Sequence, residues 1–162
     1  DALAVTLLEK REFKKEDFAL FHPGGALGRR LLLRVEDLMH SGKTIPVVSE
    51  DSNMKDVIFE MTSKKLGVTT VVDGEERLTG IITDGDLRRL LEKEVGRGID
   101  IFKLRAGEVA TKNPRVIKRD ALAASAVQIM ETHFITSLII INEDRTVAGI
   151  VHLHDLLKKG IV

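Results

Sequence analysis

Apolar residues at Met54, Val57, Ile58 and Met61 fall at i, i+3, i+4 and i+7 within DSNMKDVIFEMTSKK, the stripe of an amphipathic helix. The period then changes. VTTVV at 68–72 is a short continuous apolar run of the kind found in a strand buried on both faces. DGEER reads as a hairpin turn opened by Asp-Gly, LTGIIT as the partner strand and DGDLRRLLEKE as the next helix. Gly67 is placed to end the first helix in a left-handed turn. Upstream, VEDLM reads as a short helical piece and IPVV as a strand.

The same text is then written again. GIITDGDLRR from Gly80 returns as GIVHLHDLLK from Gly149, and Asp51/Asp120, Met61/Met130 and Asp86/Asp155 keep the same spacing of 69 residues without a gap. The second copy reads VIK, then DALAASAVQIMETH with Leu122, Ala126, Ile129 and Met130 inward, SLIII, the turn NEDR, TVAGIV and HDLLKKG. The order is β-α-β-β-α twice, an α+β architecture of small sheets with helices packed on them. A unit of about 60 residues buries too little surface to be secure alone. Two copies packed sheet against sheet hide VTTVV and SLIII, with GRGIDIFKLRAGE as the connector. The repeats are assigned to residues 35–97 and 104–162, after a leading segment of residues 1–34.

Composition narrows the class of partner. Lys plus Arg and Asp plus Glu each number 25, so no global field draws in nucleic acid or an anionic membrane, and an anionic ligand needs a local site. With 43% hydrophobic and 31% charged residues, and no run near the ~20 apolar residues of a membrane helix, a soluble chain is expected. The lack of cysteine removes disulfide and thiolate chemistry and suits a reducing cytoplasm. DALAVTLLEKREFKK has no initiator Met and no secretory-signal pattern, and sets Ala2, Leu3, Leu7 and Leu8 on roughly one helical side. The chain is therefore read as a piece of something longer.

Thr83-Asp84-Gly85-Asp86 is the most informative stretch. Thr-x-x-Asp at a strand-to-helix junction is a capping box that satisfies two orphaned N–H groups. The same Asp86 carboxylate can accept ribose hydroxyls while Thr83 and the helix start receive phosphate. Both readings stay open, and spacing alone favours the cap. Asp84 and Asp86 sit on one turn, which makes a pair of carboxylates flanking a glycosidic bond the weakest reading. In the second copy His152 replaces the threonine and Asp155 is retained, a second and altered pocket. His152 and His154 lack the third ligand that zinc needs, so no metal is expected. KNPRVIKR is a basic run around an edge strand. Gly24, Gly25 and Gly28 have neither Walker spacing nor a Lys-Ser/Thr ending.

The β-α-β-β-α repeat and the Gly-apolar-apolar-Thr-x-x-Asp run at Gly80–Asp86 resemble a tandem pair of cystathionine β-synthase (CBS) repeats, over about Val35 to Val162. FALFHPGGALGRRLLLRVEDLMH, from Phe18 to His40, is similar to the segment joining a sugar-isomerase (SIS) domain to its CBS pair in arabinose 5-phosphate isomerases. That resemblance implies that residues 1–34 are a helical linker and the tail of an SIS domain preceding this chain. It implies a catalytic part for His22 only within the intact enzyme, so the fragment itself is not expected to be an enzyme. The resemblance further implies ligand contacts by Thr83, Asp86, Thr111 and Lys112, with His133, Ser137, His152 and Asp155 as companions. No cofactor is expected. The implied partners are a nucleotide or nucleotide-sugar such as CMP-Kdo, the SIS domain of the same chain, and a second copy in a dimer of CBS pairs, tetrameric at full length. A scaffold that binds no ligand and an AMP or ATP sensor are the competing readings.

Overall fold

The computed structural model describes residues 32–94 and 96–161. His22, the glycine-rich segment and most of the leading segment lie outside the described residues. The first repeat runs β1 (Val47–Ser49), α1 (Met54–Lys64), β2 (Val68–Val72), β3 (Leu78–Thr83) and α2 (Asp84–Glu94). A short helix α3 (Ala106–Val109), which begins within the expected connector, and strand β4 (Thr111–Lys112) come next. The second repeat runs β5 (Val116–Ile117), α4 (Ala123–His133), β6 (Ser137–Ile141), β7 (Val147–His152) and α5 (Leu153–Lys158).

Each repeat builds its own sheet. In the first, β1 pairs parallel with β2, β2 antiparallel with β3, and β3 antiparallel with β4. In the second, β5 pairs parallel with β6, and β6 antiparallel with β7. All of β2 is buried, as are Leu138, Ile139 and Ile140 of β6. The expected α1 stripe packs inward through Met54, Val57 and Met61, and that of α4 through Ala126 and Met130. Between the sheets Ile45, Val68 and Ile150 form a small apolar cluster joined by Leu66, Ile81 and Val147. The hairpin tips also meet, where the Leu78 amide donates to the Arg145 carbonyl at 3.0 Å.

The segments that open the two repeats are exchanged. The 3-10 turn Val35–Asp37 packs in the core of the second repeat, with Val35 wholly buried beside Leu138 and Leu156. The Val35 amide donates to the Ala121 carbonyl, and His40 bridges to Ile150 on β7. Reciprocally, α3 packs in the core of the first repeat through Ala106, and β4 adds to the edge of β3. VEDLM, which leads into the first repeat in sequence, is built into the second.

One local expectation changes. The left-handed residue ending α1 is Lys65 (φ 58°), whose amide donates to the Met61 carbonyl. Gly67 (φ 63°) turns the chain two residues later, against Asp84. In the first hairpin the left-handed residue is Glu76, because Asp73 accepts from the Glu75 and Arg77 amides and shapes the turn through its side chain. Phe134 and Arg145 repeat Lys65 and Glu76 in the second copy.

Candidate ligand-binding cleft

At the end of β3 the chain enters α2 through Thr83, and the capping box forms as spaced. The Asp86 amide donates to Thr83 Oγ1 at 3.2 Å, while Asp86 Oδ2 accepts from the Thr83 amide at 2.8 Å and its hydroxyl at 2.7 Å. Asp86 Oδ1 accepts from Arg89 Nη2 at 2.5 Å and, more distantly, from Thr111 Oγ1 at 3.5 Å. Burial pushes the Asp86 carboxyl up, but the Thr83 bonds and the Arg89 guanidinium outweigh it and hold the group below its ordinary value. The guanidinium lies over Gly85, where a Cβ would stand 3.4 Å from Nη1.

This cluster forms one wall of a cleft of about 630 Å³ between the repeats. Thr111, Asn113 and Arg115 also line it, as do Phe134, Thr136, Ser137 and His152. Of the residues singled out in sequence, Thr83, Asp86, Thr111, Ser137 and His152 are thereby brought together. The Ser137 hydroxyl is buried and has no hydrogen-bond partner among the described residues. Lys112, His133 and Asp155 do not line this cleft. Lys112 follows Thr111 on the edge strand and His133 closes α4.

Asp155 is engaged elsewhere. Its Oδ2 lies 2.8 Å from His40 Nε2, on the segment that completes the second sheet. His40 relates to Asp155 as Thr111 relates to Asp86, because each bridges to the corresponding isoleucine, Ile150 or Ile81. His152 Nδ1 accepts from the His154 amide at 3.1 Å. The second copy thus caps its helix through His152 alone and ties its aspartate to an imidazole. Burial, with smaller contributions from His154 and His40, lowers the His152 pKa against the opposing charge of Asp155. Among the described residues no three His, Asp or Glu side chains form a group that could hold a metal ion.

Two lining residues, Arg89 and Phe134, carried no signal in sequence, whereas Arg115 falls within the basic run KNPRVIKR. Arg89 looks like an ordinary surface arginine until the fold sets it on the cleft. Phe134 ends α4 in a left-handed conformation (φ 54°) and is 95% exposed, unfavourable on both counts for a phenylalanine. The two glycines that open the repeated motif do have a structural reason. A Cβ on Gly80 would come within 2.8 Å of Ala110 Cβ, and one on Gly149 within 2.6 Å of Met39 Sδ.

Two α/β units of this topology, with exchanged lead-in segments and a cleft between them, define a tandem CBS pair. The chain belongs to the CBS domain family, whose profile matches residues 35–93 and 106–161. It is 46% identical over 162 residues to arabinose 5-phosphate isomerase KdsD of Yersinia pestis and 44% identical to that of Escherichia coli K12. Both alignments take in all of this chain and 48% of the relative, so the chain spans about half the length of these curated relatives. Among solved structures, CBSX2 in complex with AMP aligns at a TM-score of 0.65 and 20% identity, covering 79% of this chain and 96% of that one. A CBS domain pair in complex with 5-methylthioadenosine and S-adenosyl-L-methionine aligns at 0.68 and 19%, covering 78% and 94%. At such identities the likeness is one of fold. No helix among the described residues is long and apolar enough to cross a membrane.

Proposed function

We propose that this chain is the ligand-sensing portion of a cytoplasmic arabinose 5-phosphate isomerase and that its cleft takes a nucleoside phosphate. One observation carries the reading: a half-buried carboxylate, two guanidinium groups and an exposed aromatic ring converge on one 630 Å³ cleft. A carboxylate recognises sugar hydroxyls, guanidinium groups recognise phosphate, and a ring offers a face to a base. The volume is that of an ordinary small-molecule site. Identity to the isomerases along the whole chain supports the parent enzyme, which would interconvert ribulose 5-phosphate and arabinose 5-phosphate with His22 taking part. In that setting the sensed compound is the activated end product, CMP-Kdo, whose ribose and phosphate suit Asp86 and the arginines. Binding feeds back on the isomerase only if the ligand prefers one arrangement of the two domains, because equal affinity shifts nothing. Dimerisation of CBS pairs would carry that preference between copies.

A second reading, an adenine-nucleotide sensor, is favoured by the AMP complex of the CBSX2 neighbour. Thermal-shift titration with CMP-Kdo, CMP, AMP, ATP and arabinose 5-phosphate separates the two. A compound present at 100 times its dissociation constant adds about 2.7 kcal/mol to a native state that alone binds it. The expected outcome is stabilisation by cytidine compounds that is lost in Asp86→Asn, a variant that keeps the size of the capping side chain. Stabilisation by adenine compounds alone transfers the reading to the second ligand class. No shift with any of them leaves a scaffold.

A further inference from the structure

We propose that Arg89 is an exchangeable placeholder on Asp86, which makes a phosphate group obligatory in any ligand whose hydroxyls this carboxylate accepts. The inference rests on the nucleoside-phosphate reading and adds a mechanism of selectivity to it. An ionised carboxylate offers about four lone-pair sites. On Asp86, Oδ2 is saturated by the amide and hydroxyl of Thr83, both within the capping box. Only Oδ1 is left for a ligand, and Arg89 and Thr111 already donate to it. While the Thr83 hydroxyl keeps its bond to Oδ2, two vicinal hydroxyls brought to this carboxylate compete with Arg89 for Oδ1, and Arg89 is the donor they displace.

The two ends of the ion pair are unequal. The Asp86 side chain is 14% exposed and fixed by the helix cap, whereas the Arg89 side chain is 69% exposed and long. Arg89 is therefore the partner that moves. Its release removes a charge-assisted hydrogen bond and leaves a guanidinium beside the cleft, which Arg115 of the other repeat also lines. A ligand that carries phosphate gives the released guanidinium a new anion. A bare nucleoside breaks the pair and returns nothing. Thr111 makes the same exchange at smaller cost, since its bond to Oδ1 is long.

The test compares cytidine with CMP, and adenosine with AMP, by isothermal titration of the wild-type chain, Arg89→Gln and Arg115→Gln. The Arg89 side chain is 69% exposed, so the variant is expected to fold. In the wild type, CMP or AMP binds at least 100-fold more tightly than its nucleoside. In Arg89→Gln the nucleoside binds 3- to 10-fold more tightly than in wild type, while the nucleotide weakens 10-fold or more. Arg115→Gln weakens the nucleotide and leaves the nucleoside unchanged. The opposite signs in Arg89→Gln are the signature, because a residue that merely supports the fold would weaken both. If the wild type binds nucleotides and Arg89→Gln weakens both forms or keeps the same selectivity, the placeholder is overturned while the nucleotide reading stands. If only Arg89→Gln binds, and binds the nucleoside, both fall, because no phosphate-bearing ligand then displaces Arg89 in the wild type. If no protein binds any of the four, both fall.

Discussion

Asp86 holds a helix and faces a cleft with the same carboxyl group. Its pKa is lowered from 3.8 because the Thr83 and Arg89 bonds outweigh burial. The sign follows from linkage: the stabilisation is present above the unfolded value and is lost as pH falls through the lower folded value. Asp86→Asn is therefore expected to be less stable than wild type at pH 7 and to converge on it below about pH 4, the carboxylate range. Urea midpoints at pH 7 and pH 3 measure this, and an unchanged gap would sink it. His152 works at a higher pH. Its lowered pKa favours the neutral ring in the folded state, so stability falls as pH drops below 6.5. His152→Gln should lose less stability than wild type between pH 7.5 and 5, a difference of slopes read from the same titrations. The Thr83/Asp86 pair was legible because a capping box has a fixed spacing. Arg89 and Phe134 were not, since their value lies in what the folded chain sets opposite them.

At the scale of elements, the repeat is deeper than its letters. Lys65 and Phe134, Glu76 and Arg145, and Gly42 and Asn113 occupy left-handed backbone at matching places in the two copies. The chemistry at these positions differs completely, yet the turns are the same, because chain direction at a helix end or hairpin is set by the elements on either side. Both hairpins also shift register at the same point, between Val71 and Val72 and between Ile140 and Ile141. Glycine was expected to supply the left-handed end of α1, but the Lys65 amide bonded to Met61 supplies it. Where glycine is needed is at Gly80 and Gly149, because another segment crosses there. Gly149→Val drives a side chain into Met39 and the His40 carbonyl, and overpacking of this kind costs about 1–3 kcal/mol. Chemical denaturation should show that loss. A variant as stable as wild type would mean that the crossing segment moves aside freely.

Across the whole molecule, the exchange of lead-in segments ties the repeats into one folding unit. A chain beginning at Ile45 loses Val35 from the second core and His40 from the edge of β7. Hydrogen exchange on such a chain is expected to lose protection first in β6 and β7, the strands of the second repeat, and less in β2 and β3. Equal loss in both sheets, or none, would contradict the exchange. The strand order β-α-β-β-α, its duplication and the inward faces of α1 and α4 were all determined by the sequence, because periodicity and spacing are local properties of a chain. So were the capping box and the resemblance to a CBS pair. Only the tertiary structure decided that VEDLM serves the second repeat, that Asp155 is tied to His40, and that Arg89 and Arg115 share a cleft. Each of these is a contact between residues distant in the chain, and no local pattern records which distant segment arrives.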